Sequence, residues 1–483
     1  MKKLFYLLII SVLLVSCASK TQQKELVILS VNDMHSHIEN MPKLAYIADS
    51  LRNLYPELLI VSAGDNRTGN AYNDKYPEHS NFPMINLMNE IGFEASALGN
   101  HEFDDNIDGI RYFINTAHFP LICANVDFSA YPDIKMPAYV TITKNINGKD
   151  VKIILLSLIE TTNDGRPSAH IKNMKDVGFT DAKDVINDYL YLRDSCDVFV
   201  LLSHLGMEQE LAFANLYPEF DLIIGGHSHD LCLEQCEDGV LYTQSKYYLK
   251  DATVTKLVIE DGKVFDKEAQ IIDLNKVTKV DPKINEEVEY YYSRPEFHVV
   301  IGHAKTPFND KNALGAFMAD AQRYITKTDI AMQNPGGVRF DNMHGGDITK
   351  ADVYNLDPFN NSLVICEMTG KQVEEFLNVA STKDHNCTHV SGITYTINYI
   401  KLSEESGCFN SAKAFVDGKP INQNKVYTVT INSYMASSWA KDYCISMKDS
   451  GVAANDGEFL YLEDHNDVDY QGVERFECQV VEE

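Results

Sequence analysis

In the first half of the chain, short apolar runs each stop abruptly at a polar cluster. Leu26-Val27-Ile28-Leu29-Ser30-Val31 runs into Asn32-Asp33-Met34-His35, and Leu58-Leu59-Ile60-Val61-Ser62 into Gly64-Asp65. Ala95-Ser96-Ala97-Leu98 leads to Gly99-Asn100-His101-Glu102. Val198-Phe199-Val200-Leu201-Leu202 leads to Ser203-His204, and Leu222-Ile223-Ile224 to Gly225-Gly226-His227-Ser228-His229. Such runs predict buried strands. Between them, Leu44, Ile47, Leu51 and Leu54 recur at helical spacing. The alternation predicts an α/β domain, and it places the polar clusters at strand carboxyl ends, where such sheets carry their sites.

The pattern changes near residues 275–298. A charged stretch containing Asn285-Glu286-Glu287-Val288-Glu289-Tyr290-Tyr291-Tyr292 predicts a linker helix. A second unit over residues 299–483 mixes predicted helices (Ala313 to Tyr324, Gly370 to Ala380) with strands (Ser362 to Glu367, Tyr427 to Ile431). The first unit then spans residues 26–274.

Composition narrows the functional classes. Hydrophobic residues at 45% exclude wholesale disorder. A net charge of −28 opposes binding to a nucleic acid polymer but leaves a small anionic substrate open. The amino terminus begins Met1-Lys2-Lys3, continues in an apolar run from Leu4 to Val15 and ends Leu14-Val15-Ser16-Cys17. That run is short for a membrane span and resembles a bacterial lipobox, which implies a signal peptide over residues 1–16 and a lipidated Cys17. Residues 17–25 read as a polar tether, and the resemblance places the protein in the cell envelope, periplasmic or surface-exposed. Nine other cysteines remain, so some pair in an oxidising compartment and at least one does not pair within the chain. Cys232 and Cys236 lack a clear fourth zinc ligand nearby; a local bridge or two buried thiols are the readings.

The polar clusters carry the chemistry. Asp33, His35, Asp65, Asn100, His204, His227 and His229 are too many for one tetrahedral ion but suit two ions sharing a carboxylate. Oxygen and imidazole donors without thiolate favour zinc, manganese, iron or cobalt. Two such ions clamp an in-line phosphoryl displacement and supply hydroxide near neutral pH. His101 directly follows Asn100 and lies three residues before Asp104, which is placed to fix its tautomer. His37 and Glu102 read as supporting residues, and His118, His170, His298 and His465 as structural.

At these residues the chain resembles the calcineurin-like metallophosphoesterases, and more closely the bacterial 5′-nucleotidase family. The resemblance implies a four-layer αββα sandwich followed by a smaller α+β substrate-binding domain. It implies that Asp33, His35, Asp65 and His229 hold one metal and Asp65, Asn100, His204 and His227 the other, with His101 and Asp104 as the catalytic dyad. In the second half, Leu314-Gly315, Asn334-Pro335-Gly336-Gly337-Val338-Arg339, Asp357-Pro358-Phe359-Asn360-Asn361 and Ser391-Gly392-Ile393 are similar to the family's substrate domain. By that resemblance Asn334 and Arg339 contact phosphate or sugar, Phe359 stacks on a base and Asn361 lies near it. In the family this domain swings against the metal domain.

Two departures stand out. Lys305 to Asn312 contains none of the family's arginines, and Tyr434-Met435-Ala436-Ser437-Ser438-Trp439-Ala440-Lys441-Asp442-Tyr443 replaces a glycine-rich run. Tyr434 is the replacement aromatic, Asp442 the candidate acid, and Trp439 either stacks on a base or fills the gap. The implied activity is metal-dependent hydrolysis of nucleotide phosphate esters. The alternatives are cleavage of cyclic nucleotides, dinucleotides or sugar nucleotides, and a lipoprotein that binds nucleotides without turnover.

Overall fold

The computed structural model describes residues 24–236, 239–359, 361–401, 407–465 and 467–482. Two six-stranded sheets face each other in the first unit. The first runs, edge to edge, Lys263–Asp273, Asp251–Glu260, Lys24–Val31, Leu59–Ser62, Ala95–Ala97 and Leu121–Ile122. The second runs Cys232–Gln235, Leu241–Gln244, Leu222–Ile224, Val198–Leu202, Lys149–Leu156 and Tyr139–Ile146. The strands that lead into the polar clusters pair in parallel within each sheet, so their carboxyl ends share one edge.

Alternation along each strand builds the layers. Leu26, Ile28, Leu59 and Val61 meet Val198, Val200, Leu202 and Ile224 between the sheets. Val27, Leu29 and Ile60 face outward onto helices Met41–Leu54, Phe82–Ile91 and Asn106–Thr116. Phe199, Leu201 and Ile223 face the other way onto helix Met207–Leu216. This is the four-layer sandwich.

Helix Pro282–Tyr292 is capped by Asp281, whose side chain accepts from Ile284 N. Ile284, Val288 and Tyr291 are buried in the same core as Leu44 and Met84, so the predicted linker helix docks on the first unit. Beyond it, a five-stranded sheet orders His389–Ser391, Ile330–Gln333, Val426–Asn432, Ser362–Thr369 and Ser446–Ala453. A four-stranded sheet ends in Phe476–Glu482. Helices Lys311–Thr326 and Gly370–Lys383 cover the mixed sheets, the second opening with a Thr369/Gln372 capping box. Among the described residues no helix is long and apolar enough to cross a membrane. The leader and Cys17 lie outside the described residues. Cys232 and Cys236 are unbridged thiols, the second buried.

Candidate metal centre and facing pocket

The carboxyl edges of both sheets bring all seven candidate donors together. His35 Nε2 lies 2.9 Å from His229 Nε2, and 3.9 Å from both Asp33 Oδ1 and Asp65 Oδ2. His204 Nε2 is 3.1 Å from Asp65 Oδ2, and His229 Nε2 is 3.5 Å from Asp33 Oδ1. His227 Nδ1 and Asn100 Oδ1 are 2.9 Å apart. Asp33, His35 and His229 form one group of ligand-capable atoms, and Asp65, His204 and His227 another.

Local backbone geometry aims these groups. Asp33, His35, Asp65, His227 and His229 all have positive φ, between 47° and 78°. Non-glycine residues there are strained by about 1 kcal/mol or more each, and such strain gathers at functional sites. Surrounding bonds hold the turns. His35 N donates to Asp65 O at 3.0 Å and Tyr248 N to Asp33 O at 2.7 Å. Glu102 accepts from the backbone of Asp65, Asn66 and Gly99. It thus shapes the loops under the donors, as a supporting residue should. A Cβ at Gly99 would fall 2.2 Å from Asp65 Oδ1, so only glycine admits that carboxylate.

The donor set fits metal ions. His35 Nδ1 bonds Thr68 O and His204 Nδ1 bonds Ala63 O, which fixes each proton on Nδ1 and leaves Nε2 aimed inward. His204 Nε2 is buried without a well-directed hydrogen-bond partner, although Asp65 is near. Burial holds His227 and His229 down to about 3, with His204 and Arg339 respectively adding to it, so both rings are neutral, as metal donors must be. Burial pushes Asp33 up to about 7. Burial acts to raise Asp65 too, but His204 and His101 outweigh it and hold the carboxyl well below its usual range. Asn100 Nδ2 donates to Ser168 O at 3.1 Å, which turns its oxygen towards His227 and the site.

His101 stands beside this cluster. Its N–H donates to Asp65 Oδ1 at 2.9 Å, and its Nδ1 lies 2.7 Å from Asp104 Oδ2. Burial opposes protonation of the ring, yet Asp104 and Asp65 prevail and raise its pKa. His37 bonds Glu39 and stacks on Tyr248, away from the donors.

The second unit closes a pocket over the cluster. Asp65, Asn100, His101, His227 and His229 line one side, and Asn334, Arg339, Phe359, Asn361, Asp384 and Tyr434 the other. The Arg339 guanidinium sits 5.0 Å above the Phe359 ring, which is itself 6.1 Å from His101. Arg339 Nε is buried and unpartnered, as suits a guanidinium awaiting an anion. Asn361 Oδ1 accepts from Ser433 Oγ and Tyr434 N, and Asn334 Oδ1 from Asn432 Nδ2, so both amides brace the Tyr434 turn.

Some readings change. Asp442 is exposed and outside the pocket; the acid that the second unit brings to the pocket is Asp384, which accepts from Gly336 N at 2.7 Å. Trp439 packs edge-on against Tyr434 at 5.2 Å and joins the core, so it fills the gap. His170, read as structural, lines the pocket with Ser168 and Asn173. Asp384 follows a helix end with no distinctive neighbours, and nothing in its local sequence marks it.

Donors of this kind on the facing edges of two sheets define a metallophosphoesterase centre, and residues 26–231 match the calcineurin-like phosphoesterase family. Residues 300–444 match the 5′-nucleotidase C-terminal domain. The two matches together span most of the chain, which thus joins a calcineurin-like phosphoesterase domain to a 5′-nucleotidase C-terminal domain. Endonuclease YhcR of Bacillus subtilis is 28% identical over 470 residues, 86% of this chain and 37% of that protein. The chain thus spans little more than a third of that relative's length. Protein UshA of Yersinia enterocolitica is 25% identical over 526 residues, 93% of each chain. In structure, a 5′-nucleotidase precursor from Thermus thermophilus shares the fold with a TM-score of 0.79 at 22% identity, covering 94% of this chain and 99% of that one.

Proposed function

We propose that the protein is a metal-dependent hydrolase of nucleotide phosphate esters. One observation carries the reading: Asp65, Asn100, His227 and His229 of the donor cluster and the His101–Asp104 pair face Arg339 and Phe359 across one pocket. Asp33, His35, Asp65 and His229 would hold one divalent ion, and Asp65, Asn100, His204 and His227 a second. Zinc, manganese, iron or cobalt bound there would supply charge neutralisation and lower the pKa of the attacking water.

The remaining roles belong to the chain itself. Asp104 holds a proton on His101 Nδ1 and, with Asp65, raises the ring's pKa, so the protonated imidazolium has a second proton on Nε2 to give to the leaving oxygen. Arg339 pairs with the phosphate, and the Phe359 face beneath it holds the guanidinium in place. Phe359 and Tyr434 offer the rings on which a base stacks, while Asn334 and Asn361 fix the loops that present them.

Hydrolysis of AMP (read as phosphate), UDP-glucose (as UMP), 2′,3′-cyclic AMP (as the opened monophosphate) and bis-p-nitrophenyl phosphate (as p-nitrophenol), with manganese or zinc added, tests the proposal. Phosphate release from AMP supports it; no hydrolysis of any ester with either metal sinks it. Cleavage of diesters or pyrophosphates is the second reading, favoured by relatives named as an endonuclease and a trifunctional nucleotide phosphoesterase. A preference for the p-nitrophenyl diester would select it. Binding without turnover is disfavoured, because a pure binder has no use for His101 and Asp104.

The lipobox-like leader supports anchoring by acyl chains on Cys17 in a bacterial envelope. The mass of the mature amino-terminal peptide checks this, and an unmodified Cys17 would end it.

A further inference from the structure

Four of the nine cysteines beyond the leader meet in pairs in the second unit, away from the pocket chemistry. Cys366 is fully buried in the strand Ser362–Thr369. Cys444 follows the turn after helix Ser433–Ser438, and Ile445 N donates to Glu367 O at 2.7 Å, which registers the two segments side by side. Cys366 belongs to the core against which Cys444 packs. Cys387 is buried in the same core, just before His389–Ser391. Cys478 lies on the last strand, opposite Ile397, another member of that core. Within each pair the thiols are close enough to shift each other's ionisation.

We propose that Cys366–Cys444 and Cys387–Cys478 are disulfide sites, closed by exchange with an oxidised dithiol. In the first pair Cys444 is the entry thiol. It is part-exposed, and Cys366 beside it lowers its pKa, whereas Cys444 and burial raise Cys366. Cys444, having lost its proton, attacks one sulfur of the donor disulfide and releases one donor thiolate. Cys366 then loses its proton and attacks Cys444 Sγ, expelling the other. Two protons and two electrons pass to the donor, which becomes a dithiol. In the second pair the exposed Cys478 enters, and Cys387, pushed up to about 12 by burial first and by Cys478, closes the bond.

The first bond bears on the pocket. Cys366 lies on the strand that leaves Phe359 and Asn361; Cys444 ends the segment that carries Tyr434 and Trp439. A covalent link between them fixes the two aromatic walls relative to each other where the chain has no glycine-rich loop. It also closes a long loop, which restricts the unfolded chain most.

Peptide mapping of the full chain decides the matter. The protein is secreted into an oxidising compartment, alkylated in denaturant without reductant, digested and weighed. The expected result is two cross-linked peptides, each lighter by two hydrogens than its parts, with Cys123, Cys196 and Cys408 alkylated. Recovery of either pair as alkylated thiols, or bonded to other cysteines, overturns that pair. As a second reading, a phosphine reductant should lower the melting midpoint of the parent by about 5 °C or more. A Cys366→Ala/Cys444→Ala double variant should lose about half of that response, the second bond keeping the rest; a parent midpoint unmoved by reductant overturns the proposal.

Discussion

Neighbouring side chains in this site have separable duties. Asn100 turns its oxygen to the donor cluster, while His101, one position on, bonds Asp104 instead. Asn100→Ala and His101→Ala should therefore both lower turnover, by about a hundredfold or more for His101→Ala. Only Asn100→Ala should lower the metal content measured by elemental mass spectrometry. A buried acid pair behind the pocket gives a second test. Glu458 is fully buried with neither carboxylate oxygen partnered, and burial, then Asp357, hold it well above the carboxylate range. Asp357 is pushed up to about 7 by burial, against the pull of Lys75. An acid raised in the folded state contributes stability that is complete below its unfolded value and is lost as pH rises towards the folded one. The melting midpoint should thus fall between about pH 4 and about pH 7, and Glu458→Gln should flatten that slope and raise the midpoint at the alkaline end.

Strands and helices divide into those their own pattern announces and those their partners decide. The strands before Asp33, Asp65, Asn100, His204 and His227 are unbroken apolar runs, so both their existence and the direction of the loops after them were legible. The helix from Pro282 to Tyr292 was legible as a helix but not as part of the first core, because its three buried positions lie among charges. Tyr291→Ala should cost about 3 kcal/mol in urea unfolding of the first unit, although it lies in the predicted connector. An unchanged transition would show that the helix only connects. The segment from Tyr434 to Tyr443 was legible as a departure, yet its use was not. Whether Trp439 or Asp442 reaches the pocket depends on how a six-residue helix, Ser433–Ser438, turns the chain, and no local periodicity encodes that. Asp384 was missed for the same reason: it is brought in by tertiary contact with Gly336, not by a motif.

Taken together, the two units split the work. The first supplies the donors and His101, and the second supplies Arg339, the aromatic walls and Asp384. Metal ions that bind the assembled donors but not the unfolded chain should stabilise the fold by about 3 kcal/mol at about a hundredfold excess over the dissociation constant, and so raise the melting midpoint. A chelator should reverse this, and a midpoint indifferent to both would argue against the centre. The donors also come from opposite sheets: Asp33, Asp65 and Asn100 from one, His204, His227 and His229 from the other. What sets the gap between those halves is the dry layer of Leu26, Ile28, Val61, Val200 and Leu202 beneath them. That greasy filling is the spacer of the centre. Thinning it with Val200→Ala would leave every ligand in place, yet it should shift the ratio of zinc to manganese retained, so the choice of ion is written partly in hydrocarbon.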